Sequence, residues 1–341
     1  MKKKIIAFII ILVIVAGSYA AYIFFGPAVS TPQGEFFYIK TRSSYTDVKN
    51  DLVNKNYIQN GNWFDLASKI LKYKKAKAGR YKVKKGMSLF NLVRMLKNGN
   101  QAEVNFVITK IRTKEAFAAK AGSMFECDSL EMINFLNNTD SLKNYGLDTN
   151  TVMAAIMPYR YTLYWNSTAR KIFQQFYTAY KNFWTTQRKQ KADNLHLSQV
   201  EVSTLASLVE EETNAMSDKP KIASVYLNRI RAGMPLQADP SVKFALRDFS
   251  LKRIYSKYTL TVSPYNTYTN KGLPPGPICT PSIETIDAVL NSPATDYYYF
   301  VANSDFSGTH IFTSNYDDHM KFARQYQQAL NRQDSIKQAN K

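Results

Sequence analysis

The chain has 341 residues, enough for two or three modest domains, and its apolar and aromatic content, with 23 Tyr and 20 Phe, is that of a globular protein and argues against long disorder. Its formal net charge of +19 speaks of partners rather than fold, and three classes qualify: nucleic acid, an anionic membrane or an anionic cell-wall polymer. No zinc-finger spacing, helix-turn-helix signal or RNA-recognition motif accompanies the dense basic patch from Lys69 to Lys85, which disfavours nucleic acid.

Lys2, Lys3 and Lys4 precede an uncharged run from Ile5 to Phe25, 21 residues that end at Gly26-Pro27. As a helix this run spans about 31 Å, the thickness of a bilayer core. The basic flank places the N-terminus in the cytoplasm and the rest of the chain outside the membrane. The small residues of Ala16–Ala21 are compatible with a cleavable signal, but the apolar run continues past them, which favours an uncleaved single-pass anchor. Export again counts against nucleic acid as a partner.

Residues 26–35 read as a linker. Phe36–Lys40 reads as a strand, Ser44 opens a helix carrying Tyr45, Val48 and Leu52, and Trp63, Leu66, Ile70 and Leu71 mark another. Arg80–Lys84 reads as a second strand and Ser88–Leu96 as a further helix. Ile39, Val48 and Leu52 recur as Val83, Leu92 and Leu96, a weak repeat that predicts a small α+β module over 36–103.

A second, larger domain of mixed helix and strand is expected over 104–336, before a tail at 337–341. Residues 109–197 look mainly helical. Ser198 with Glu201 is a capping-box signature, and a helix is expected from there to about Asn214. Another begins near Asp218, with Pro220 in its first turn, and stops before Gly233. Tyr297–Ala302 reads as a buried strand that His310–Thr313 can pair with. Cys127 and Cys279 form no CxxC pair, and are compatible with one disulfide or with two buried thiols. His196, His310 and His319 lack metal-ligand spacing, so no metal or other cofactor is expected.

The chemistry concentrates in Leu205-Ala-Ser-Leu-Val-Glu-Glu-Glu-Thr213. On a helix, Val202, Leu205, Val209 and Glu212 share one stripe, with Glu210 and Glu211 pointing away from it. A carboxyl on an apolar stripe is desolvated, which raises its pKa and equips it as a general acid near neutral pH. The plain alternative is a solvated acidic face, but three acids at a helix C-terminus oppose the helix dipole.

This segment resembles the active-site helix of the YceG-like endolytic murein transglycosylases. Ile222–Met234 resembles the family's next helix. Leu236-Gln-Ala-Asp-Pro-Ser-Val242, Tyr265-Asn-Thr-Tyr268, Gly272-Leu-Pro-Pro-Gly-Pro-Ile278, Tyr299–Ala302 and His310–Asn315 resemble its later motifs in order. Ala78-Gly-Arg-Tyr81 with Leu92–Gly99 resembles its LysM-like module. One departure is Ala154–Tyr161, which keeps Pro158 but lacks the acidic residues the family carries there.

The resemblance implies an α+β chain with three parts: a transmembrane helix, a LysM-like module and a catalytic domain. It implies cleavage of the bond between N-acetylmuramic acid and N-acetylglucosamine in peptidoglycan strands. Glu212 acts first as acid and then as base, leaving a 1,6-anhydro end, and the enzyme terminates nascent strands with cell-wall synthases as further partners. Gln237 and Asn266 either bond N-acetyl groups or stabilise loops. Asp239 caps a turn or orients substrate, Tyr265 and Tyr268 stack on sugars or pack in the core, and Ser241 stabilises the sugar at the reacting centre. Glu210 is the reserve acid. The rival readings are a non-catalytic, membrane-anchored wall-binding protein and a hydrolase pairing Glu212 with Asp239 or Asp248.

Overall fold

The apolar N-terminal run is helical from its basic flank onward. In the computed structural model, which describes residues 2–339 and side chains through Gln333, α1 (Lys2–Phe25) has a stretch of mean hydropathy 2.5 and is long and apolar enough to cross a membrane. Lys2, Lys3 and Lys4 are its first turn rather than a separate tail. The chain divides into two units: α1 and the residues up to Phe106 with Gly122–Asp128 and Thr162–Thr168, and Val107–Ala121, Ser129–Tyr161 and Ala169 onward.

In the first unit, β1 (Phe36–Ile39) pairs antiparallel with β2 (Gly79–Lys82), setting Phe37 opposite Tyr81. Ser44 caps α2 (Tyr45–Asn54) in a reciprocal box with Asp47, Asn60 caps α3 (Gly61–Leu71), and Ser88 caps α4 (Leu89–Asn98). The repeat has a physical basis: Ile39, Val48, Leu52, Val83, Leu92 and Leu96 are each no more than 2 % exposed and share one core. The stretch 26–35 is not a free linker. Val29 is buried in that core and bridges to Ile58, and its carbonyl accepts from the Gly86 amide at 2.8 Å. An apolar side chain in the core has tied the expected tether to the module.

β3 (Glu103–Val107) pairs with β4 (Arg160–Tyr164), and the chain passes from one unit to the other within each. The second unit is mainly helical as far as residue 197. It has α5 (Lys114–Gly122), α6 (Ser129–Leu136), α7 (Thr139–Lys143), a 3₁₀ turn at Val152–Ala155, α8 (Ala169–Phe183) and α9 (Thr186–Asn194). Then come α10 (Gln199–Glu212), α11 (Lys219–Arg231), α12 (Asp239–Leu246), α13 (Ser256–Thr259) and α14 (Ile283–Leu290). An antiparallel ribbon of β5 (Tyr299–Ala302) and β6 (His310–Thr313) precedes α15 (Tyr316–Ala339). The ribbon pairs as expected, but β5 is half-buried throughout, because a two-stranded ribbon packed on α11 and α15 is not covered on every side. The expected tail from 337 is helical to Ala339, and residues 340–341 lie outside the described residues, as does Met1.

Helix α10 is the hub. It packs against α9, α11, α12 and α14, and Val202–Val209 are buried without interruption. It is therefore enclosed on all sides rather than half-buried along one stripe. Its buried hydroxyls are satisfied locally: Ser203 and Thr204 donate to carbonyls one turn back, and Ser207 to the Thr204 carbonyl at 2.7 Å.

Candidate active site

The last three residues of α10 point about 100° apart around the helix, so each meets a different wall. Glu210 accepts from Lys219 Nζ at 2.8 Å and Ser282 Oγ at 2.9 Å, and from the Thr285 hydroxyl. Glu211 takes a bidentate pair from Arg112, at 3.1 and 2.9 Å, with Lys110 at 3.3 Å. Glu212 faces α11, where the Tyr226 hydroxyl donates to its Oε1 at 2.6 Å. The acidic run is therefore not a solvated face. Glu210 and Glu211 are each held in place by cations.

These environments drive the two outer carboxyls apart. At Glu210 burial pushes upward, but the hydrogen bonds from Lys219, Thr285 and Ser282 and the Lys219 charge outweigh it, and its pKa falls below the ordinary value. A carboxylate engaged in this way favours its ionised form, the opposite bias from that of a general acid. At Glu212 burial dominates. The Tyr226 hydrogen bond and the charges of Lys243 and Arg229 oppose it, the Asp239 charge adds to it, and the carboxyl is raised to about 7.

Tyr226 and Arg229 escaped the sequence reading. Tyr226 is 1 % exposed, and burial followed by the adjacent Glu212 charge raises its hydroxyl well above the ordinary value, so it stays a donor. Arg229 is buried one turn further along α11, donating to the Tyr298 and Leu236 carbonyls at 2.8 Å each. The available signal was the spacing of Ile222, Tyr226 and Arg229, which share one face of α11 and put a phenol and a guanidinium on an otherwise apolar stripe.

The other expected site residues divide. Asp239 opens α12 and accepts from the Tyr268 hydroxyl at 2.6 Å, and the charge of Asp239 acts on Glu212, so these three belong together. Gln237 is exposed, in a left-handed backbone conformation (φ 52°), with Oε1 3.4 Å from Arg229. Tyr265 is half-buried and packs its ring 4.7 Å from Phe244.

Ser241 and Asn266 are fully buried, and for Asn266 its bonds fit the loop-stabilising alternative. Ser241 Oγ donates to the Ala238 carbonyl at 2.7 Å. Asn266 Nδ2 donates to the Thr259 and Thr261 carbonyls at 2.9 and 2.8 Å, and its Oδ1 accepts from the Tyr268 amide. Asn266 thus ties the loop that presents Tyr268. Asn266→Ala is expected to cost about 1–3 kcal/mol by leaving these bonds unmade, without loss of turnover in the folded fraction. Urea unfolding, with substrate turnover measured alongside, checks both.

The Pro- and Gly-rich loop before α14 is clamped onto α10: Ser207 Oγ accepts from the Ile278 amide at 3.0 Å. Gly276 is required there, because a Cβ would sit 2.1 Å from the Asn150 carbonyl oxygen. The divergent stretch has a core role, with Ala154–Met157 buried and the Tyr161 ring 3.9 Å from Phe176. Cys127 and Cys279 are both buried thiols. Among the described residues, no group of three or more His, Cys, Asp or Glu side chains converges as a metal site would require.

A hollow of about 400 Å³ lined by Tyr145, Tyr177, Tyr180 and Lys189 reaches Ser198 and Gln199 at the opposite end of α10. That end lies about 20 Å from Glu212 along the helix axis. A cavity of about 40 Å³ beside Glu211, Pro240 and Lys243 holds about one water and no sugar. Within α10, Glu212 combines a raised carboxyl with partial access to solvent, which makes it the candidate for acid–base chemistry.

Residues 37–325 match the YceG-like family, and the chain belongs to it. An endolytic murein transglycosylase of Bacillus subtilis is 42% identical over 123 residues, 36% of this chain and 33% of that one. One of Streptococcus pneumoniae (strain D39) is 27% identical over 313 residues, 81% of this chain and 55% of that one. The chain thus spans about half or less of the length of these curated relatives. The crystal structure of a YceG-like protein of Listeria monocytogenes superposes with a TM-score of 0.57 at 27% identity, covering 84% of this chain and 98% of that one.

Proposed function

We propose that this protein is a peptidoglycan lytic transglycosylase that cuts glycan strands with Glu212 as its single acid and base. The carrying observation is the Glu212 carboxyl, held near a pKa of about 7 by burial while bonded to Tyr226. Protonated, it delivers its proton to the glycosidic oxygen between N-acetylmuramic acid and N-acetylglucosamine as the bond breaks. The resulting carboxylate removes the proton of the muramyl 6-hydroxyl, whose oxygen closes on the anomeric carbon. Charge and atoms balance with no water consumed, and the glutamate ends protonated as it began. A pKa near neutrality suits a group that must both give and take a proton. The names of the relatives support the substrate class.

In this reading Arg229 and Asp239 set the field around Glu212, and Tyr268 and the exposed Gln237 are the side chains offered to the glycan. The α1 helix anchors the chain with its catalytic unit on the extracytoplasmic side of the inner membrane, near nascent strands and their synthases. The first unit is read as a LysM-like module, supported by its Ser-capped helices flanking an antiparallel strand pair.

Digestion of purified sacculi followed by mass spectrometry tests the reaction: anhydro products one water lighter than hydrolytic ones are expected. The charge of Asp239 on Glu212 favours, as a second reading, a two-carboxylate hydrolase, and reducing ends would establish it instead. Tyr226→Phe removes the hydrogen bond that holds the Glu212 pKa down. The alkaline limb of kcat/KM is then expected to move up by about one pH unit, the equivalent of one hydrogen bond. An unmoved limb would separate Tyr226 from the acid.

A further inference from the structure

The first unit leans on the end of α1 through α3 and α4. Phe24 stacks edge-on against Trp63 at 5.9 Å and Phe25 lies 5.3 Å from Phe90. A cavity of about 330 Å³ between them is lined by Tyr19, Tyr22, Asn60 and Trp63 among others. Tyr19 precedes the end of the helix by six residues, or about 9 Å, so the turn into α3 reaches back to the depth of lipid headgroups if α1 crosses a bilayer.

From there α3 carries Trp63, Leu66 and Ile70 at three- and four-residue spacing, one stripe continuous with the span. Leu66 is 41% and Ile70 59% exposed, an unusual placement for a folded module with a filled core. Further round the same helix, beginning at Lys69 beside Leu66, is a hollow of about 420 Å³ lined by Ser68, Lys69, Lys72, Tyr73 and Lys74, together with Tyr45 and Asp65. Asp65 is engaged by Lys49 and Tyr45. Ser68 and Tyr73 are 3% and 4% exposed; Ser68 is hydrogen-bonded to Tyr45, whereas among the described residues the Tyr73 hydroxyl has no hydrogen-bond partner. A buried donor without an acceptor, ringed by lysines, is a site built for an anion. The surrounding charge agrees: between Asp65 and Glu103 the chain carries 11 Lys and Arg and no acidic residue.

We propose that this face binds an anionic phospholipid headgroup. Its phosphate sits against Lys69, Lys72 and Lys74 and accepts from Tyr73, while Leu66 and Ile70 enter the acyl boundary. An apolar stripe continuous with the span is what a lipid surface explains and a soluble polyanion does not. The inference rests on α1 crossing a membrane and is independent of the glycan chemistry.

The test uses the full chain in phosphatidylcholine nanodiscs with and without phosphatidylglycerol. Ile70→Cys carries an environment-sensitive dye, with Cys127 and Cys279 buried, and acrylamide is the neutral quencher. Co-purification with the disc reports the span separately. Quenching is expected to fall several-fold when phosphatidylglycerol is present and to recover in high salt. Each Lys→Gln change at 69, 72 or 74 is expected to lower the equilibrium for the engaged face about fivefold. Tyr73→Phe, which keeps the buried ring, is expected to weaken it in the same direction. Equal quenching in the two lipids overturns the proposal, as does a lipid dependence that survives the triple Lys→Gln variant. Protection produced by soluble glycan fragments without the anionic lipid would assign the hollow to sugar and overturn it as well.

Discussion

Glu212→Gln is expected to lower glycan cleavage roughly 100- to 10,000-fold, the contribution of a positioned general acid, and to make the protein more stable in alkaline solution. Glutamine keeps the shape of the side chain and a carbonyl for the Tyr226 hydroxyl, so α10 and α11 stay joined. The stability effect follows from the titration of the native carboxyl at about 7, against an ordinary 4.5. A carboxyl raised by folding contributes its full stability below the unfolded value and loses it as pH rises through the folded one. The wild type thus gives up about 3 kcal/mol between those limits, a cost the amide does not carry. The variant and the wild type should melt alike near pH 4, and the variant should melt several degrees higher at pH 8. Calorimetry at the two pH values, with muropeptide analysis of digested sacculi, checks both arms. A variant that releases anhydro-muropeptides at the wild-type rate would remove Glu212 from the chemistry. Equal melting at pH 8 would mean that its carboxyl is not desolvated. Loss of activity together with gain of stability is the signature of a residue kept for function in an unfavourable place.

What could be read in advance follows from how local each determinant is. Ser198 with Glu201 and Ser44 with Asp47 set helix starts through bonds three residues apart, and both boxes form. The recurrence of Ile39, Val48 and Leu52 as Val83, Leu92 and Leu96 marked one core because burial imposes periodicity. Side chains whose partners lie far along the chain were illegible. Glu211 meets Arg112 across 99 residues, and Ser282 meets Glu210 across 72. Nothing in the spacing of three consecutive glutamates tells which wall each one faces. The stripe of Val202, Leu205 and Val209 led to Glu212 by an argument the enclosure of α10 does not support, since every residue from 202 to 209 is buried. What distinguishes Glu212 is its partner, a neutral phenol in place of a cation. Ser241 and Asn266 show a related limit of the sequence. Short polar side chains satisfy nearby backbone as readily as they meet a ligand, and burial decides between the two.

The cation at Glu210 supplies the second large effect. Lys219 is 5% exposed in the first turn of α11 and donates both to Glu210 and to the Thr285 hydroxyl on α14. One ammonium thereby joins three helices at the end of α10. Lys219→Met leaves the Glu210 carboxylate in a largely dehydrated place with two hydroxyls and no countercharge, and is expected to cost about 3–5 kcal/mol at neutral pH. In the wild type the Glu210 pKa lies below its ordinary value, so its contribution is present above the unfolded value and lost as pH falls through the folded one. Without Lys219, burial is opposed only by the hydroxyls and the carboxyl is pushed upward, so the variant regains stability on acidification while the wild type loses it. The gap between the two should be widest near pH 7 and narrow toward pH 4 in urea titrations. Glu210→Gln combined with Lys219→Met removes both charges and should recover most of the loss, a coupling that single changes cannot imitate. The double variant also separates the two carboxylates functionally. If Glu210 only fastens α10 to α11 and α14, the folded double variant still cuts glycan. If cleavage disappears while the fold and the Glu212 titration persist, the proton comes from Glu210, and Glu212 is the bystander.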